Sequence, residues 1–71
     1  MAASLQVDAR GRSCPEPVVM AKKAVDQGHN DFTVLVDSEG ARENVSRFLR
    51  SQGLKVQVEM RDGEYVLRVN G

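Results

Sequence analysis

The sequence predicts a two-layer α/β (α+β) sandwich in the order βαβαββ, with a mixed four-stranded sheet and two helices on one face. Three observations carry that prediction. Two segments place apolar residues at helical spacing and each is followed by a glycine. Each of those segments follows a short strand-like run. The C-terminal segment alternates apolar and polar residues on both sides of Asp62-Gly63, a strong two-residue hairpin signal.

Leu5-Gln6-Val7-Asp8 alternates apolar and polar residues as a half-buried strand does. A loop rich in turn residues runs from Arg10 to Pro17. Beyond Pro17, Val18, Ala21 and Val25 recur at helical spacing with Met20 and Ala24 beside them, while Lys22, Lys23 and Asp26 fall outside the stripe. Gly28 is placed to end this helix. Phe32 to Val36 is apolar almost throughout, which suits an interior strand. Ser38 is the expected N-cap of a second helix whose apolar face is Ala41, Val45, Phe48 and Leu49, and Gly53-Leu54 fits its stop. In the hairpin, Met60 falls opposite Tyr65, Val58 opposite Leu67 and Val56 opposite Val69, all on one face. Arg61 with Glu64 and Gln57 with Arg68 make the opposite, solvent-facing side. Val45, Phe48 and Leu49 are expected to form the core with Val58 and Leu67. The two βα units are expected to form parallel neighbours, the hairpin to add an antiparallel edge, and residues 1–4 and Asn70-Gly71 to fray.

Seventy-one residues are expected to make one domain spanning residues 1–71. Such a domain buries only about 60% of the surface its unfolded chain exposes. One cysteine forms no internal disulfide, and one cysteine with one histidine, His29, is too few for a structural zinc site, so no metal and no cofactor are expected. Lysine plus arginine equals aspartate plus glutamate at ten each, which argues against direct binding of nucleic acid. The N-terminus lacks the basic and apolar regions of a signal peptide, and no apolar run reaches membrane-spanning length. A cytoplasmic protein with a reduced thiol and no membrane partner is the expectation.

The chemistry concentrates at Cys14. It lies in a polar, proline-rich loop outside both apolar stripes, at or just before a helix N-terminus, where backbone N–H groups and the helix dipole favour a thiolate. Neither Pro15 nor Pro17 can donate a hydrogen bond, so the amides of Glu16 and Val18 are the candidates to face the sulfur. Pro17 disfavours a helical conformation at Glu16, and the sequence leaves open which proline begins the helix. Arg10 and Arg12 flank the cysteine and add positive potential against Glu16, so the thiol pKa is expected below the ordinary value of about 8.5. His29, at the far end of a helix roughly 15 Å long, is out of reach as a base. Without a base or a second cysteine, a carrier is the chemistry that remains: a nucleophilic sulfur that accepts a group and passes it to a partner's thiol.

These residues also carry a resemblance. Arg10-Gly11-x-x-Cys14-Pro15-x-Pro17-Val18 resembles the CPxP signature of TusA/SirA-like sulfur carriers, from about Leu5 to Val69 of the chain. Val36-Asp37-Ser38-Glu39, Glu43-Asn44-Val45-Ser46-Arg47-Phe48 and Ser51-Gln52-Gly53 look like the N-terminal domain of YedF-type selenium-metabolism proteins. Such proteins often continue into a DsrE-like domain, so the chain reads as a stand-alone paralogue or an excised domain. The resemblance implies a βαβαββ fold and a persulfide, or selenium, on Cys14. It implies Arg10, Gly11, Pro15, Glu16 and Pro17 as the supporting loop, in tRNA thiolation, sulfur trafficking or selenium metabolism. Its partners would be a cysteine desulfurase or rhodanese-type donor and a DsrE-like or other sulfur-accepting protein. Arg12, Lys22 and Lys23 are candidate docking residues.

Blander readings stand beside these. A lone cysteine is often a small buried hydrophobe. Asn44 and Ser46 read as solvated helix positions, and Arg42, Arg47 and Arg50 as a charged face. The alternative function is a regulatory or RNA-interacting module, because the same βαβαββ order resembles the C-terminal domain of translation initiation factor three. Fold analogy alone is a weak warrant for that.

Overall fold

The computed structural model describes residues 5–11 and 16–71. The order is β1 (Leu5–Asp8), α1 (Glu16–Asp26), β2 (Asp31–Val36), α2 (Glu39–Ser51), β3 (Lys55–Arg61) and β4 (Glu64–Asn70). The strands form one mixed four-stranded sheet in the order β1-β2-β4-β3. β1 runs parallel to β2, and β4 is antiparallel to both β2 and β3. The predicted order βαβαββ is the one observed.

The helix ends follow from local chemistry. Ser38 caps α2, its Oγ accepting from the Ala41 N–H at 3.2 Å. Both helices close in the same way. The N–H of Gly28 donates to the Val25 carbonyl and that of His29 to Ala24, with Gly28 at φ 91°. The N–H of Gly53 donates to Arg50 and that of Leu54 to Leu49, with Gly53 at φ 82°. Only glycine takes that left-handed turn without steric cost, and the paired bonds satisfy the last helical carbonyls. At the start of α1, Glu16 is already helical and Pro17 follows it, so Glu16 adopts the conformation that Pro17 disfavours there. Pro17 sits in the first turn, where an N–H is not needed, and its ring is fully buried.

The hairpin register is the predicted one: Val56 faces Val69, Val58 faces Leu67, Met60 faces Tyr65 and Arg61 faces Glu64. Asp62 and Gly63 both have positive φ, 52° and 78°, as a type I′ turn requires. The two βα units are parallel neighbours and the hairpin adds antiparallel strands, as expected, joining the sheet through its second strand. β4, not β3, lies beside β2, so only β1 and β2 are parallel neighbours. Tyr65-Val66-Leu67 is a continuous apolar run suited to an interior place, whereas β3 alternates with charges and takes the edge. Asn70, expected to fray, is the last residue of β4 and pairs with both Asp31 and Lys55.

The core lies between the helices and the two central strands. Phe32, Val34 and Val36 of β2 meet Leu67 and Val69 of β4 below Ala21 and Ala24 of α1 and Ala41, Val45 and Leu49 of α2. Two core expectations are corrected. Val58 is 37% exposed, because α2 reaches the edge strand at Val56 and not beyond it, and Phe48 is half-buried at the margin. Ser46, read as solvated, is 5% exposed.

Leu67→Ala should therefore lower the unfolding free energy by about 2–5 kcal/mol, and Val58→Ala by less than about 1 kcal/mol. Urea titrations of the two variants check this ordering.

Candidate functional site

The site is built where the chain leaves the carboxyl ends of the two parallel strands, the usual place for ligand chemistry in such sheets. After Asp8, the Ala9 N–H still donates to the Leu35 carbonyl at 2.9 Å, and Ala9 is buried. The chain then turns away through Arg10 and Gly11. Two contacts hold that stem.

The first is made by Arg10. Its Nε and Nη2 donate to Asp8 Oδ1 and Oδ2 at 2.9 and 2.8 Å, and its Nη1 donates to Glu64 Oε1 at 3.1 Å. Its backbone N–H also donates to Asp8 Oδ1 at 3.2 Å. Asp8 ends β1 and Glu64 begins β4, so the guanidinium bridges the two strands that flank β2. The hydrogen bonds to Asp8, then those to Glu64, raise the Arg10 pKa above its already high ordinary value. The second contact comes from Gly11. At φ 73° its N–H donates to Asp37 Oδ2 at 2.8 Å, directly beyond β2. Asp8, Arg10, Gly11, Asp37 and Glu64 line an open depression of about 540 Å³.

The expected influence of Arg10 on Cys14 falls outside the described residues, but the pairing of Arg10 itself is seen. Its charge is matched by two carboxylates, and with Asp37 the stem carries more negative than positive charge. The first turn of α1 begins at Glu16, with Pro17, which has no N–H, and Val18 following.

Gly11 and Glu16 are both placed, one tied to Asp37 and the other the first residue of α1. Between them in sequence come Arg12, Cys14 and Pro15, predicted site residues that lie outside the described residues. Lys22 and Lys23 are exposed on α1, and Lys22 Nζ pairs with Asp26 at 3.0 Å. Lys22 is six residues beyond Glu16, about 9 Å along the helix axis. Three residues that sequence reasoning did not single out complete the stem: Asp8, Asp37 and Glu64. Asp8 and Asp37 carried a signal, being acidic residues at strand ends beside the loop. Glu64 carried none, because only the insertion of β4 beside β2 brings it near.

Other candidates fall into place as surface chemistry. Arg42 Nη2 pairs with Glu39 at 3.8 Å and its guanidinium lies 5.3 Å from the Tyr65 ring centre. Arg47 pairs with Glu43 at 3.9 Å, and Arg50 donates to the Val56 carbonyl at 3.4 Å. On the open face of the sheet, Arg61 and Arg68 both reach Glu59. The aromatics Phe32 and Tyr65 face the helices, and Phe48 lies on α2, so the open face offers no ring for base stacking. Among the described residues no cluster of side chains is suited to hold a metal, and no helix is long and apolar enough to cross a membrane.

Fold and site together define a class: a small βαβαββ sandwich whose one cysteine, in sequence, occupies the connection between the first strand and the first helix. The family model described as sulfurtransferase TusA matches residues 5–71, and the chain belongs to that family. It is also similar to the crystal structure of a SirA-like protein from Desulfitobacterium hafniense. The two share 33% identity over 94% of this chain and 97% of that one, with a TM-score of 0.79. No curated protein matches the chain. Membership of this family makes sulfur carriage the general function.

Asp37→Ala removes the acceptor of the Gly11 N–H. Amide hydrogen exchange at Gly11 should rise several-fold, while global stability should fall by only about 1 kcal/mol. Exchange measured residue by residue by NMR, beside a urea titration, checks both.

Proposed function

We propose that Cys14 carries a sulfane sulfur as a persulfide and relays it between partner proteins. The observation that supports this is the two-sided frame around its segment: a stem tied to Asp37, Asp8 and Glu64 before it, and the first turn of α1 directly after it. A short span between two anchored ends restricts where a sulfur can go, which favours transfer to a docked thiol.

The steps balance without a redox reagent. The Cys14 thiolate attacks the outer sulfur of a donor's cysteine persulfide. A new S–S bond forms at Cys14, the donor's S–S bond breaks, and the donor cysteine leaves as a thiolate. An acceptor thiolate then attacks the outer sulfur on Cys14, whose own sulfur departs as thiolate and is ready for another cycle. The chain needs no base of its own, because thiolates are both nucleophile and leaving group. The amides of Glu16 and Val18 and the α1 dipole favour Cys14 in its charged form at both ends of the cycle.

The donor is a cysteine desulfurase or rhodanese-type protein and the acceptor a DsrE-like or other sulfur-accepting protein, in tRNA thiolation, sulfur trafficking or, with selenium in place of sulfur, selenium metabolism. The setting is the cytoplasm, where a lone thiol stays reduced. Arg12, Lys22 and Lys23 contribute to docking. Arg10, Gly11, Pro15, Glu16 and Pro17 support the loop, with Pro17 acting also as a core residue.

Incubated with a cysteine desulfurase and free cysteine, the protein should gain the mass of one or more sulfur atoms, lost again with dithiothreitol. Cys14→Ser should gain none while melting near the wild-type temperature. Intact-mass spectrometry decides; equal labelling of the variant would overturn the assignment.

A further inference from the structure

β3 is an edge strand of seven residues, Lys55 to Arg61, and among the described residues one of its sides has no neighbour in the sheet. β3 carries no proline, bulge or inward-pointing charge; its guards against pairing are the charges of Lys55, Glu59 and Arg61, which a partner strand must match. On its helix side, Val58 is 37% and Met60 71% exposed, because α1 and α2 do not extend over them.

The backbone alternation says which groups face out. The type I′ turn closes on the pair Arg61 and Glu64, so Gln57 and Glu59 share its hydrogen-bonded side toward β4. Val56, Val58 and Met60 then direct their N–H and carbonyl groups outward. The Val56 carbonyl bears this out: its partner is the Arg50 side chain, at 3.4 Å, and not a residue of β4.

We infer that this edge pairs antiparallel with the same strand of a second copy of the chain, joining two sheets into one. The strand's own charges select the register. With Gln57 opposite Gln57 on the two-fold axis, Lys55 meets Glu59 of the other copy twice, Val56 meets Val58, and Met60 comes over Leu54. A shift to Val58 on the axis sets Lys55 against Arg61, and a shift to Glu59 on the axis sets two carboxylates face to face. Like charges directly opposite are unfavourable and opposite ones favourable. Of these three registers the Gln57-centred one makes charge and apolar surface agree, and it covers both Val58 and Met60. Arg50 gives up the Val56 carbonyl to the incoming strand. The contact is small, so the dimer is weak and concentration-dependent. β1, which leads into the Cys14 loop, lies at the opposite edge of each sheet and stays open to partners.

Sedimentation velocity of the chain under reducing conditions, from about 10 µM to about 1 mM, is the test. Wild type should shift from monomer to dimer across this range. Lys55→Glu and Glu59→Lys should each weaken the dimer by roughly ten-fold, and the double variant should return to within about two-fold of wild type. Arg50→Ala should strengthen it. Circular dichroism melting shows that each variant is folded, and recovery in the double variant excludes a general loss of structure. A wild type that stays monomeric at the highest concentration overturns the inference and leaves the edge to a strand of another protein. A dimer indifferent to the single reversals, or one the double variant fails to restore, overturns it as well.

Discussion

Two helices must cover four strands, and they cannot. They close chiefly on the two central strands, where Ala21, Ala24, Val45 and Leu49 meet Phe32, Val34 and Leu67, and α2 reaches β3 only as far as Val56. Almost everything else about the molecule follows from that shortage. The core-facing side chains of α1 and α2 are small or compact, and the outer part of the edge strand β3 is left uncovered at Val58 and Met60. Its helix-facing Val58 and Met60 have the right alternation for a core but nothing above them. A domain this small has no further layer with which to cover them.

The uncovered face meets the same shortage differently. Leu35 and Val66 pair across β2 and β4 on the side without helices. Val66 is nonetheless buried, because the long side chains of Arg61 and Arg68 lie around it beside Glu64. Arginine stems cover apolar surface while their charged ends stay in water, and Glu59 gathers both heads. The open face is thus a layer of matched charge over a small apolar patch.

The ion pairs at the loop stem act on geometry more than on stability. Arg10, Asp8 and Glu64 are all substantially exposed, and exposed pairs contribute between zero and about 1 kcal/mol each. Yet they tie β1 to β4 across β2 and, with the Asp37 contact, settle the direction in which the chain leaves the sheet. Sulfur transfer between thiols calls for a placed nucleophile and little else. A stem tied at this point and a helix starting at Glu16 fix both flanks of the intervening segment at low energetic cost.

Much of this was legible in the sequence, and the legible parts share a cause. Helix stops at Gly28 and Gly53, the Ser38 cap, the Asp62-Gly63 turn and the pairing of Val58 with Leu67 depend on residues close together in the chain. Local sterics and hydrogen bonding decide such features before any tertiary contact forms. Cys14 stood out in the sequence for a local reason too, as the one thiol in a proline-rich loop ahead of a helical pattern. The tertiary structure decided the rest. It put β4 rather than β3 beside β2, exposed Val58 and Met60, buried Ser46 and Pro17, and brought Glu64 to Arg10 across 54 positions of sequence. Each of these outcomes depends on which surfaces compete for two helices' worth of cover, and no local window of the chain contains that competition.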